Sequence, residues 1–181
     1  MGKTYEEITD KIAAWVEEQQ LFFVSTAPLS GDGLINCSPK GLDSFRILDP
    51  HTVAYADYHG SGIETAAHLQ ENGRIVIMLC AFKGSPNIVR FYGTGKYHPL
   101  NSAGFEALKS NYNEAKILRG IVEVSVTRIS DSCGYGVPKF DYVGQRDTLS
   151  KSAHTKGTDG LKKSRERNAE SLDGLPGFRA D

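Results

Sequence analysis

Residues Ile121-Val122-Glu123-Val124-Ser125-Val126-Thr127-Arg128-Ile129 alternate apolar and polar side chains along most of their length. A period of two places one set of side chains on each face of a strand, a pattern no helix can use. β-branched and aromatic runs recur at short intervals before it: Leu21 to Thr26, Leu34 to Ser38, Phe45 to Leu48, Thr52 to Tyr58, Arg74 to Phe82 and Ile88 to Tyr97. Several of the links are short and rich in turn residues: Ser30-Gly31-Asp32-Gly33, Asp49-Pro50-His51 and Lys83-Gly84-Ser85-Pro86-Asn87. Such links make hairpins, whereas parallel strands need long crossovers. The expectation is a mainly β chain, folded as a six- to seven-stranded antiparallel barrel with peripheral helices rather than a doubly wound sheet.

Helices are expected around it. Thr4 followed by Glu7 forms a capping box, and Ile8, Ile12, Trp15 and Val16 continue at helical spacing to about Gln19-Gln20. A short helix is expected over Ala103 to Ser110 and a charged one over Asp159 to Glu170. Residues 150–181 carry few large apolar side chains and cannot build a core of their own. The chain therefore divides into a barrel over residues 1–130 and a C-terminal extension over 131–181 that packs on the barrel or on a partner.

Composition narrows the function. A formal charge of −1 supplies no field that would draw the chain to nucleic acid or to an anionic membrane. The longest apolar run, Ile75 to Phe82, is too short to span a bilayer. No apolar signal segment follows Met1, so a cytoplasmic location is expected. Cys37, Cys80 and Cys133 form no Cys-x-x-Cys pair, and the five histidines have no metal-ligand spacing, so no metal is expected. Cys37 and Cys80 read as small buried hydrophobes.

The chemistry-bearing stretch is the strand ending Tyr55-Ala56-Asp57-Tyr58, its turn His59-Gly60-Ser61-Gly62 and the helix begun by Ile63-Glu64-Thr65. Small residues at a helix mouth let a phosphate reach unpaired N–H groups. Taken alone, the turn reads first as a cap, because Ser61 and Glu64 also make a capping box. Ser38-Pro39-Lys40-Gly41 puts a cation past a strand end, either as a solvated turn lysine or as an anion ligand. Arg90 sits in an apolar strand run and faces either solvent or an anion. No nucleophile elbow or paired-carboxylate motif points to covalent hydrolysis.

In their order along the chain, these pieces resemble the pyridoxamine 5'-phosphate oxidase-related family of FMN-binding split barrels. The resemblance runs from about Tyr5 to Val126. It rests on Phe22-Phe23-Val24-Ser25-Thr26, Asn36-Cys37-Ser38-Pro39-Lys40-Gly41, Val53 to Tyr58, Thr65 to Ile75 and Arg90-Phe91-Tyr92-Gly93. Cys133 to Pro138 and Ser171 to Gly177 resemble one cytoplasmic branch of it. The resemblance implies a homodimer with flavin at the subunit interface, acting on a small-molecule substrate. Phosphate contacts carry over onto Lys40, Ser61 and Thr65, with Ser38 and Gly62 beside them. Tyr55, Ala56 and Asp57 would pass the flavin, and Arg90 is a further contact. Two features depart from the family pattern. Pyridoxamine phosphate oxidases have Arg-Lys in the first helical turn, where this chain has Ile63-Glu64-Thr65, and a C-terminal Arg-x-His-x-Arg that this chain lacks. An FMN-dependent oxidoreductase is thus expected; a genuine pyridoxamine 5'-phosphate oxidase and a non-enzymatic flavin or haem carrier or sensor are the alternatives.

Overall fold

The computed structural model describes residues 2–178. Eight strands form one antiparallel sheet: β1 (Thr4–Tyr5), β2 (Phe22–Thr26), β3 (Asn36–Lys40), β4 (Phe45–Asp49), β5 (Thr52–Tyr58), β6 (Arg74–Cys80), β7 (Ile88–Pro99) and β8 (Leu118–Ser132). The order is β3-β2-β6-β7-β8-β5-β4, with β1 added along β8. Four strands separate β2 from β4, yet the Phe22 and Phe45 rings lie 5.2 Å apart and Phe22 and Tyr55 5.5 Å. The sheet therefore curls until its two ends share one core, as a split barrel does. Val24, Val53, Tyr55, Ile77, Phe91, Val122, Val124 and Ile129 fill that core with no exposed surface.

β5 is buried on both faces. Val53 and Tyr55 enter the barrel, while Ala54 and Ala56 join Phe105, Tyr112, Leu118 and Ile121 in a second cluster. Small alanines on the second face leave room for α3 (Ala103–Leu108) and the 3₁₀ turns after it. β8 keeps its alternation from Val122 to Val126 and then shifts phase. Tyr92 pairs with Arg128 and Gly93 with Val126, so Thr127 is an extra, bulged residue that returns Ile129 to the core.

Both N-terminal caps differ from expectation. Thr4 and Tyr5 pair with Ser130 and Ile129, and the Tyr5 hydroxyl donates to Asp131 Oδ2 at 2.6 Å. These long-range bonds outweigh a local capping box. The helix α1 (Asp10–Glu17) is capped instead by Thr9, whose Oγ1 accepts from the Ile12 N–H at 3.3 Å. The helix α2 (Glu64–Glu71) has Ile63 at its N-cap and no side-chain cap. Ile63 is buried in the core, and holding it there starts the helix two residues after Ser61. Cys80 is buried as expected, but Cys37 is exposed, because β3 is a sheet edge.

Past β8 the chain leaves the sheet. The helix α4 spans Thr148–Arg167, longer than the expected Asp159 to Glu170, and kinks at Gly157, where φ is 60° and ψ is −176°. Only glycine takes that backbone conformation without strain. Ala153 and Leu161 pack with Ile117, and Tyr58 covers their edge.

Candidate anion-binding cavity

Asp57 carries a carboxylate at the end of β5, buried with 4% of its surface exposed. A buried charge needs partners. Arg119 supplies two bonds, Nε to Oδ2 at 2.7 Å and Nη2 to Oδ1 at 3.3 Å, and Lys40 Nζ lies 3.6 Å from Oδ1. Burial pushes the Asp57 carboxyl up, but the Arg119 and Lys40 cations outweigh it and hold the group below its ordinary value. A register shift brings Arg119 here. Asp57 pairs with Gly120 and Tyr58 with Leu118, so Arg119 is bulged out of the ladder and free to turn onto Asp57. Gly120 lets this happen at close quarters, since a Cβ there would meet the Tyr97 ring at 2.4 Å.

Above this ion cluster lies a cavity of about 340 Å³. The end of β3 contributes Ser38, Pro39 and Lys40, and β5 contributes Ala56 and Tyr58. The turn gives His59, Gly60, Ser61 and Gly62; α2 gives Glu64 and Thr65; Gly41, Leu42, Ser44, Arg119 and Leu149 complete the wall. Its hydroxyls are held from behind. Ser38 Oγ donates to Asn36 Oδ1 at 2.9 Å, and Asn36 Nδ2 donates to Thr65 Oγ1 at 3.0 Å and to Thr26 Oγ1 at 3.2 Å. The buried His68 ends the chain, with Nδ1 2.9 Å from Thr26 Oγ1. Thr65 also meets the Tyr55 hydroxyl, so its oxygen is held from two sides.

Lys40 and Arg119 share one carboxylate, which leaves the floor with one surplus positive charge. The first N–H groups of α2 have no side-chain acceptor and add the positive end of the helix dipole. Glu64 opposes them; its carboxylate folds back over Gly62, where a Cβ would lie 2.4 Å from Oε2. His59 contributes no charge at neutral pH. Burial, then the nearby Arg165 and Arg119 cations, lower its pKa to about 4. Hydroxyls, a lysine, an arginine and free N–H groups around a small cavity suit a phosphate-sized oxyanion.

Of the expected site residues, Ser38, Lys40, Ala56, Ser61, Gly62 and Thr65 line this cavity. Asp57 lies under it as the counter-ion of its cations. Tyr55 does not reach it, because alternation turns its ring into the barrel core. Arg90 stands at the far end of the β7–β8 ladder, paired with Ser130 and bonded to Ser132 Oγ at 3.0 Å, whereas Arg119 neighbours the Pro99–Gly120 pair that closes the other end. Arg119 and Leu149 are additions that the sequence pattern did not single out. An aspartate inside an apolar strand was the available signal for Arg119, since such a carboxylate demands a cation.

A second, largely apolar cavity of about 870 Å³ adjoins the first and shares Pro39, Lys40, Gly41, Leu42 and Leu149 with it. Leu21 and Phe82 line it on the barrel side, and the Phe140–Arg146 segment closes it.

A family model described as pyridoxamine 5'-phosphate oxidase matches residues 8–133. The chain belongs to this family. The family protein ustO of Aspergillus flavus is 35% identical, over 97% of this chain and 78% of its own length. That match reaches past β8, where the family model ends, and takes in α4. Among solved structures, HupZ of Group A Streptococcus aligns at a TM-score of 0.53 with 25% identity, over 67% of this chain and 91% of its own. A Clostridium acetobutylicum protein related to general stress protein 26 aligns at 0.52 with 9% identity, over 68% and 86%, and speaks for the shared fold alone.

Proposed function

We propose that this family member is a cytoplasmic, homodimeric FMN-dependent oxidoreductase acting on a small molecule, with flavin at the subunit interface. The observation that carries the reading is the cation pair Lys40 and Arg119 set beneath the uncapped first turn of α2. Lys40 and Arg119 would hold the phosphate by charge, and Ser38, Ser61 and Thr65 by hydroxyl contacts. The adjoining apolar cavity, continuous through Pro39 to Leu42, offers space and a dry wall for a flat ring. Bound flavin supplies the electron transfer, and the chain binds, orients and desolvates it. Glu64 at the helix mouth weighs against a second phosphate group in the same place, which favours this reading over a genuine pyridoxamine 5'-phosphate oxidase.

The test is the absorbance of the purified protein, followed by FMN titration. A yellow flavin band, or a rise in melting temperature on adding FMN, is the expected result; at about a hundredfold excess over Kd, stabilisation reaches roughly 2.7 kcal/mol. A colourless protein whose melting temperature ignores FMN would sink the proposal.

A further inference from the structure

The anion cavity is walled on one side by His59, whose second neighbour comes from far along the chain. Arg165, in the last turn of α4, places Nη1 3.4 Å from His59 Nε2. A guanidinium has only donors, so the imidazole nitrogen must be the acceptor, and its proton must sit on Nδ1. Nδ1 has no hydrogen-bond partner among the described residues, and it is not sealed from solvent. Arg165 itself has no carboxylate within salt-bridge distance among the described residues.

We infer that Arg165 completes the anion cavity through His59: it holds the imidazole as the neutral Nδ1–H tautomer, so that His59 becomes a hydrogen-bond donor to a bound phosphate. The inference rests on reading the cavity as a phosphate site. It makes Arg165 a positioning residue and joins α4 to ligand binding. The charged groups facing His59 agree with it. Arg165 and Lys156 from α4 and Arg119 from β8 are cations; Asp57 from β5 is an anion already paired with Arg119, and Glu64 of α2 lines the same cavity. The imidazole therefore stays uncharged at neutral pH and can donate only through the nitrogen that Arg165 leaves free.

The decisive experiment uses the full-length chain, with ¹⁵N-detected imidazole spectra and inorganic phosphate as the probe. The wild type is expected to show His59 protonated on Nδ1, with that nitrogen shifting as phosphate is added. Arg165→Met is expected to release the tautomer, raise the His59 pKa toward 6.5 and weaken phosphate roughly 10- to 100-fold, the value of one hydrogen bond to a charged group. Arg165→Lys, which keeps a donor, should restore much of both. A purely structural role for Arg165 would leave the tautomer unmoved. A wild-type proton on Nε2 overturns the inference, as does Arg165→Met with unchanged tautomer and phosphate affinity. If Arg165→Met fails to fold, the wild-type spectrum and Arg165→Lys decide. If FMN does not bind while phosphate binding still depends on Arg165, the proposed function falls and this inference stands.

Discussion

Floor and cover of the cavity are built on different terms. On the floor, β5 buries Val53 through Asp57, five of its seven residues, and is paired along both edges. Over the rim, α4 buries Ala153, Leu161 and Ser164 out of twenty residues and pairs with no strand. The floor thus shares in the cooperative core, while the cover is held by a few apolar contacts, the Arg165–His59 bond and the bond Ser150 Oγ donates to Glu114 Oε1 at 3.1 Å. Local opening follows the number of buried contacts.

The largest expected effect strikes the floor. Asp57→Ala strands the Arg119 guanidinium in the core, and removing one partner of a buried pair costs roughly 3–5 kcal/mol. Urea unfolding should show that loss; a midpoint shift no larger than that of a surface substitution would mean water reaches the pair. The same pair sets an acid limit. The Asp57 carboxyl is held below its unfolded value, so its stabilisation is present above about pH 3.9 and is lost as pH falls through the native value.

Lys40→Met tests the floor's other role. It removes a partly exposed cation while Asp57 keeps Arg119, so stability should change little. A hydrogen bond to a charged group is worth about 1.5–3 kcal/mol, which predicts a loss of roughly 10- to 100-fold in FMN affinity. Unchanged affinity would leave Lys40 as a counter-ion of Asp57 only.

Leu161→Ala probes the cover. Amide exchange in Thr148–Arg167 should quicken by about tenfold while the barrel's urea midpoint holds, because α4 opens by itself. A matching drop in the barrel's stability would show that floor and cover unfold as one unit.

The last effect concerns pH. His59 has a native pKa of about 4 against 6.5 in the unfolded chain, so the unfolded state binds the extra proton between those values. Stability contributed by His59 is therefore complete above pH 6.5 and declines as pH falls toward 4. Comparing the pH profile with that of His59→Gln isolates the term, and identical slopes in that window would place the imidazole in water.

Much of this was legible in the residue pattern. Period-two runs and short turn-rich links marked the strands from β2 to β8, and Lys40, Ser61 and Thr65, read as phosphate contacts, line one cavity together with Ser38. The failures have a common cause. Thr4 and Ser61 satisfied local capping rules, yet β1 pairing and the burial of Ile63 moved both helix starts. Arg119 escaped notice because a bulge, invisible to alternation, turns it onto Asp57.

By itself, the sequence determined an antiparallel β chain with a glycine-loosened turn feeding a helix, because side-chain periodicity and turn chemistry act over a few residues. Tertiary structure alone decided which cations meet at that turn. Lys40, Asp57 and Arg119 come from three strands, and Arg165 from a helix beyond the sheet. Their meeting depends on strand register, one bulge and the docking of α4, all set by long-range burial rather than by neighbours in the chain.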